Sequence, residues 1–119
     1  MIKTYVEIVA EAQKYISTVS VEEAVQKIRN TPDILVLDVR EPKEHEEDSL
    51  PNARHIPRGV IELKIEKICA NESQPILTHC GGGGRASLAA KTLQDMGYTN
   101  VAAINGKYAD LKAALMKVT

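Results

Sequence analysis

The sequence predicts an α/β domain whose central sheet is mostly parallel and is flanked by helices. Three short apolar runs, at residues 34–39, 75–79 and 101–104, have the length and continuity of strands that are buried on both faces. Segments with helical periodicity separate these runs. Strands that alternate with helices along a chain form parallel sheets with right-handed crossovers.

Four helices are predicted in the first half of the chain. Apolar residues recur at mostly helical spacing near the amino terminus, which indicates an amphipathic helix over about residues 4–15 that packs on the domain. A capping box at residues 20–23 begins a second helix, which ends before Pro32. A proline suits the first turn of a short helix over residues 42–48, and Gly59 precedes another helix.

Two further helices flank the last predicted strand. One covers residues 86–96 and is closed by Gly97, and the other covers about residues 108–116. In open α/β sheets, ligands bind beyond the carboxyl ends of the strands. Asp38 and Cys80 lie at such ends, so the architecture itself predicts a site there.

Length and composition indicate a single domain over residues 1–119, large enough to bury its own core. Phe and Trp are absent, which predicts an aliphatic core. With 15 basic and 16 acidic residues the net charge is −1, so nothing general favours binding to nucleic acid or an anionic membrane. Two cysteines without a signal-peptide pattern argue against a disulfide framework and favour a reducing, cytoplasmic location.

The segment that carries chemistry joins the second predicted strand to the helix that follows. Cys80 ends the strand and Arg85 opens the helix. Between them lie four consecutive glycines, Gly81, Gly82, Gly83 and Gly84. Glycine lets backbone N–H groups turn inward, and a helix N-terminus adds partial positive charge, so the loop favours a thiolate and an anionic ligand. The alternative interpretation is a buried cysteine beside a loop that only connects two elements.

Three segments resemble the rhodanese-like sulfurtransferase family, and together they span residues 34–106. Residues 37–45 contain Asp-Val-Arg-Glu-Pro, which is similar to the signature at the end of the family's first central strand. Residues 53–59 are similar to its Ala-x-x-Ile-Pro-x-Gly segment. The third segment is the loop from Cys80 to Arg85. The resemblance implies a single rhodanese-like domain.

The resemblance further implies a double displacement through a covalent persulfide on Cys80. The thiolate would take sulfane sulfur from a small anionic donor, thiosulfate or a persulfide, and pass it to a thiol or cyanide. A sulfur-carrier protein is a further candidate partner. The amides of residues 81–85 would hold the negative charge, and Arg85 would orient the donor. No cofactor, metal, nucleic acid or membrane is expected to take part.

Other polar residues are candidates for the site or its support. Arg58 is predicted to contact the anion, with a solvated residue at a helix start as the alternative. Asp38 and Arg40 are predicted to support the site, and Asp38 has the further option of positioning Arg85. Arg85 has its own alternative, an ion pair with Asp38 or Glu41 that braces the loop.

Two more residues lie close to the motif in sequence. Strand alternation turns His79 away from the side that Cys80 faces, so a catalytic base is not expected there. Cys69 is expected to be a small core or surface residue, with resolving-cysteine chemistry as the alternative. The acidic residues within 41–48 predict a solvated helix face. A metal site formed by His45 and its neighbouring carboxylates is the alternative, although no recognised ligand spacing occurs there.

Loop length separates the leading function from its first alternative. Rhodanese-like loops span six positions from Cys to Arg, whereas the loops of related phosphatases are one residue longer, and Cys80 to Arg85 counts six. A phosphatase or arsenate reductase stays open, because His79 before Cys80 resembles the His-Cys opening of tyrosine phosphatases. The second alternative is a rhodanese-like binding module without turnover, although such modules commonly lose the cysteine.

Overall fold

The computed structural model describes residues 1–117 and confirms the predicted fold class. In chain order its elements are α1 (Tyr5–Gln13), β1 (Ser17–Val19), α2 (Val21–Asn30), β2 (Leu35–Asp38), α3 (Pro42–Glu47), β3 (Arg54–His55), α4 (Ile61–Ile68), β4 (Ile76–His79), α5 (Gly84–Asp95), β5 (Val101–Ile104) and α6 (Tyr108–Met116). A short 3₁₀ turn, Arg58–Val60, leads into α4. Within residues 1–117, each helix is too short or too polar to traverse a bilayer.

The five strands form one parallel sheet in the order β1-β5-β4-β2-β3. The three central strands, β2, β4 and β5, are the predicted apolar runs. The sequence pattern does not predict the edge strands β1 and β3, because they are short and only one residue of each is even partly buried. Each edge strand pairs with one neighbour, β1 with β5 and β3 with β2, so its strand character comes from tertiary pairing.

Helices cover both faces of the sheet. One apolar core lies between the sheet and α4 and α5, and the other lies between the sheet and α2 and α6. Helix α1 packs on the outer side of α5, where Ala12 is buried and Gln13 Nε2 donates to Ser87 Oγ at 3.0 Å. The predicted capping box of α2 at Ser20 is formed, and Thr4 forms a second capping box at the start of α1.

Helix α5 begins at Gly84, two residues before the start that the pattern predicts. Its N-cap is Gly83, which has φ of 110°, a left-handed conformation that glycine adopts without strain. The last glycine of the run therefore belongs to the helix. The amino end of α5 consequently lies closer to Cys80 than the sequence pattern indicates.

Candidate active site

The site lies at the carboxyl edge of the sheet, where β2 and β4 end side by side. Asp38 is paired in register with His79, and the Val39 N–H donates to the His79 carbonyl at 3.0 Å. Cys80 follows immediately after β4. The two strand ends that the sequence predicts as a ligand edge are thus neighbours in the sheet.

The sulfur of Cys80 is held by backbone donors from the turn into α5. The Gly83 N–H donates to Sγ at 3.0 Å, and the Ala86 N–H donates to it at 3.3 Å. Only 3% of Cys80 is exposed. Two N–H groups and the amino end of a helix stabilise negative charge on sulfur, so the geometry suits a thiolate or a charged persulfide. Cys80 faces α5, whose Ala86 carbonyl also accepts from Thr78 Oγ1.

The glycines of the loop differ in what they require. Gly83 has positive φ, and a Cβ there would lie 2.9 Å from Asn105 Oδ1 and 3.3 Å from the Asn105 Cα. Gly82 has open space around it. The Gly81 carbonyl accepts from the Tyr108 N–H at 3.0 Å, which ties the loop to the start of α6. Gly83 is therefore the loop position at which the backbone conformation itself requires glycine.

Replacing Gly83 with alanine is expected to lower the free energy of unfolding by about 2 kcal/mol, because a left-handed backbone and a close contact with Asn105 are combined. The matched control is Gly82→Ala, which meets no atom within 4 Å and should change stability by less than about 0.5 kcal/mol. Chemical denaturation of both variants measures the difference. Equal stability of the two variants would contradict the role assigned to Gly83.

Arg85 forms a two-pronged ion pair with Glu44 of α3. Its Nη1 donates to Oε1 at 2.6 Å and its Nη2 donates to Oε2 at 3.2 Å. The hydrogen bonds raise the pKa of Arg85 and lower the pKa of Glu44. The alternative that Arg85 forms an ion pair with Asp38 or Glu41 named the wrong residues, because the partner is Glu44. Asp38 is occupied elsewhere, and Glu41 lies at the N-cap of α3, one turn before Glu44.

Asp38 binds Arg40 instead of Arg85. Its Oδ1 accepts from Arg40 Nε at 3.0 Å, its Oδ2 accepts from Nη2 at 2.9 Å, and the backbone N–H of Arg40 adds a third bond at 3.0 Å. His45 Nδ1 lies 2.8 Å from Oδ2. Burial disfavours the charge on Asp38, but the hydrogen bonds from Arg40 and His45 outweigh it and hold the pKa at about 2.

Arg40 connects this buried carboxylate to the loop through Tyr108. The Arg40 guanidinium carbon lies 4.1 Å from the centre of the Tyr108 ring, and the Tyr108 backbone N–H binds the Gly81 carbonyl. Arg40 Nη2 also donates to the Asp48 carbonyl at 2.6 Å. Arg40 thus links the Asp38 carboxylate to Tyr108, whose backbone binds the loop.

His79 lies on the opposite face of the sheet from the Cys80 sulfur. Its ring is 1% exposed and stacks on Tyr108, with ring centres 5.8 Å apart. Within the described part of the chain, neither ring nitrogen has a hydrogen-bond partner. Burial lowers the pKa of His79 to about 4. A neutral ring that faces α6 is poorly placed to exchange a proton with a sulfur that faces α5.

Arg58 lies in the 3₁₀ turn before α4, and its backbone N–H donates to the Val39 carbonyl at 3.0 Å. Its side chain lines a cavity of about 320 Å³ between α1 and α5, together with Lys3, Tyr15 and Lys91. The lining of this cavity contains no residue of the loop from Cys80 to Arg85. The structure therefore places the Arg58 backbone beside the site, and its side chain toward α1.

Cys69 lies near the amino ends of the strands, at the opposite side of the sheet from Cys80. It ends α4, is buried, and lines a surface cavity with Leu35, the first residue of β2. Cys80 follows the last residue of β4, so the two cysteines lie at opposite ends of the strands. Across residues 1–117, no group of three or more His, Cys, Asp or Glu side chains is arranged to hold a metal ion.

Two residues of the site are not singled out by the sequence pattern. Glu44 is hidden within the acidic run, where its distance from Arg85 along the chain gives no sign of pairing. Tyr5 of α1 is part of an amphipathic helix, yet its hydroxyl lies against Gly84. Neither residue carries a local signal, because each reaches the loop only through packing of elements that are distant in sequence.

A cysteine sulfur held by backbone amides, at the carboxyl edge of a parallel sheet, defines a class of α/β domains with a thiolate site. The sequence model of one such family, the rhodanese-like domain, matches residues 20–114. The chain belongs to this family. The match begins after α1 and β1, so Tyr5 lies outside it.

Relatives with functional names support the same family. A protein from Bacillus subtilis named as a sulfur carrier is 33% identical over 92 residues, which cover 77% of this chain and 49% of that protein. The chain thus spans about half the length of that relative. A thiosulfate sulfurtransferase from Coxiella burnetii is 30% identical over 100 residues, which cover 84% of this chain and 88% of that protein.

Solved structures share the fold. A Rhodopseudomonas palustris protein of unknown function, named a possible tyrosine phosphatase, has a TM-score of 0.86 at 28% identity, and the match covers 100% of this chain and 96% of that one. The polysulfide-sulfur transferase homodimer from Wolinella succinogenes has a TM-score of 0.74 at 28% identity, covering 90% of this chain and 81% of that one.

Proposed function

We propose that this protein is a sulfurtransferase that carries sulfane sulfur from thiosulfate or a persulfide donor to a thiophilic acceptor, through a persulfide on Cys80. The observation that carries the proposal is the pair of N–H groups, from Gly83 and Ala86, that donate to Sγ. These donors are positioned to stabilise the charge that the sulfur holds before and after each transfer. The six-position loop and the names of the relatives support the same chemistry.

The proposed reaction has two balanced steps. The Cys80 thiolate attacks the outer sulfur of thiosulfate, a new S–S bond forms, and the donor's own S–S bond breaks so that sulfite leaves with the electron pair. An acceptor such as cyanide or a thiolate then attacks the outer sulfur of the persulfide. Thiocyanate or an acceptor persulfide leaves, and the Cys80 thiolate is restored.

Arg85 is proposed to contribute positive charge beside the loop while Glu44 holds its orientation. Both Nη atoms of Arg85 donate to Glu44, which fixes the orientation of the guanidinium. Fewer of its N–H donors are therefore free to bind the substrate. Arg58 is not assigned a contact with the donor, because its side chain lines the cavity beside α1, whose lining contains no residue of the loop. A sulfur-carrier protein is a candidate acceptor, and a reducing compartment such as the cytoplasm suits a reaction that needs a free thiol.

The test is the intact mass of the reduced wild-type protein after incubation with thiosulfate, and again after cyanide is added. We expect the protein to gain the mass of one sulfur atom, to lose it with cyanide, and to release thiocyanate. Peptide mapping should locate the added sulfur on Cys80. A protein that gains no sulfur from either thiosulfate or glutathione persulfide would contradict the proposal.

A further inference from the structure

The hydroxyl of Tyr5 occupies the space that a side chain at position 84 would fill. A Cβ on Gly84 would lie 1.8 Å from Tyr5 Oη, 2.7 Å from Cζ and 3.2 Å from Cε2. Tyr5 is therefore in direct contact with the backbone at the first residue of α5. The amino-terminal helix thus places the Tyr5 hydroxyl beside a loop whose glycines have no polar side chains.

The position of Tyr5 is set by the packing of α1 on α5. Thr4 caps the helix, with the Glu7 N–H donating to its Oγ1 at 3.2 Å, so the helix begins at Tyr5. At the other end, Gln13 Nε2 donates to Ser87 Oγ. These contacts hold α1 along α5 and direct its first residue to the loop.

Tyr5 and Cys80 both lie near the Arg85 guanidinium, whose pKa is raised first by its hydrogen bonds to Glu44. Tyr5 is 55% exposed, so its ring is open to solvent on one side. Arg85, in contrast, already directs two donors to Glu44.

We propose that Tyr5 is a substrate-positioning residue, whose O–H donates a hydrogen bond to an oxyanion of the sulfur donor as the donor's outer sulfur approaches Cys80. This role rests on the proposed sulfurtransferase function. The chemical class of substrate that it favours is a small donor with an oxyanion beside the transferable sulfur, as in thiosulfate. In this proposal Tyr5 of α1 supplies the polar side chain that the four glycines of the loop lack.

The first test is Tyr5→Phe, which removes the hydroxyl and keeps the ring. Loss of one charge-assisted hydrogen bond is expected to raise KM for thiosulfate about tenfold and to leave kcat within about twofold. The matched control is Tyr15→Phe, a tyrosine that follows α1 and whose ring lies 5.9 Å from Lys91 Nζ, away from the loop. That control should keep the wild-type KM. Equal KM values for Tyr5→Phe and wild type would overturn the proposal.

A second readout does not depend on sulfur transfer. Cys80 alkylation by iodoacetate, an anion, is compared with alkylation by iodoacetamide, which is neutral, with peptide mapping to separate Cys80 from Cys69. Tyr5→Phe is expected to slow only the reaction with iodoacetate, by about fivefold or more. An unchanged ratio of the two rates would overturn the positioning role. If wild type gains no sulfur but this ratio falls, the proposed function fails while Tyr5 remains an anion-positioning residue.

Gly84→Ala tests the contact itself. The added Cβ collides with the phenol, so Tyr5 must swing away and the variant should lose the same preference for iodoacetate. In the Tyr5→Phe background the added methyl group should change that preference by less than about twofold, because the hydroxyl is already absent. Additive losses in the double variant would show that the two residues act independently and would contradict the proposal. Thermal unfolding of each variant confirms that it is folded.

Discussion

Replacing Cys80 with serine is expected to abolish sulfur uptake and to lower thiosulfate turnover by roughly a thousandfold or more. Serine is close in size to cysteine, and its Oγ can accept from the same Gly83 and Ala86 N–H groups, so the fold should persist. A serine hydroxyl does not ionise near neutral pH and forms no S–S bond. Rate measurements with cyanide as acceptor, together with intact mass, check both effects.

The matched control for this prediction is Cys69→Ser. Cys69 is also buried and free, but it lies near the amino ends of the strands, whereas Cys80 lies at their carboxyl ends. Its replacement should keep sulfur uptake within about twofold of wild type. Uptake that survives in Cys80→Ser and disappears in Cys69→Ser would reverse the assignment of the nucleophile.

The same variants distinguish the two alternative functions. Hydrolysis of p-nitrophenyl phosphate by wild type, lost in Cys80→Ser and unaccompanied by sulfur uptake, would establish the phosphatase alternative that the His79-Cys80 pair suggests. A protein that performs neither reaction, while retaining a folded site, would be a binding module. The loop from Cys80 to Arg85 has six positions rather than the seven expected of a related phosphatase, which favours the proposal of sulfur transfer.

The sequence predicts the elements that are decided locally. The strands β2, β4 and β5 are largely buried and mostly apolar, and the capping box at Ser20 marks the start of α2 by its own side chains. Strand β3, which is only Arg54–His55, owes its existence to backbone pairing with Leu37 and Asp38. No local sequence pattern predicts a two-residue strand of this kind.

The candidate site divides in the same way. The position of Cys80 at a strand end and before a helix follows from neighbouring residues, so it is predictable. The pairing of Arg85 with Glu44 and the contact of Tyr5 with Gly84 depend on how α3 and α1 pack beside the loop. Such contacts join residues that are far apart in the chain. A single sequence supplies the candidates for them but does not select the partner.

The buried histidine behind the nucleophile predicts a strong dependence of stability on pH. Burial lowers the pKa of His79 from 6.5 to about 4, with Asp38 opposing and Arg40 reinforcing the shift. Between these values the unfolded chain binds a proton at His79 and the folded chain does not. Stability is therefore full above pH 6.5 and is lost as the pH falls toward 4, by about 3 kcal/mol. Asp38 stays charged in this window, because its pKa is about 2.

Chemical denaturation at a series of pH values measures this loss, and His79→Leu isolates its source. The variant replaces a buried ring by an apolar side chain, so its stability should fall by about 3 kcal/mol less than that of wild type between pH 6.5 and 4. The ring resonances of His79 in the folded wild-type protein provide a second measurement by NMR. They should not titrate until the pH approaches 4, because burial of the ring penalises the imidazolium. Resonances that titrate near pH 6.5, or parallel stability curves for the two proteins, would show that the ring is hydrated and that the acid sensitivity arises elsewhere.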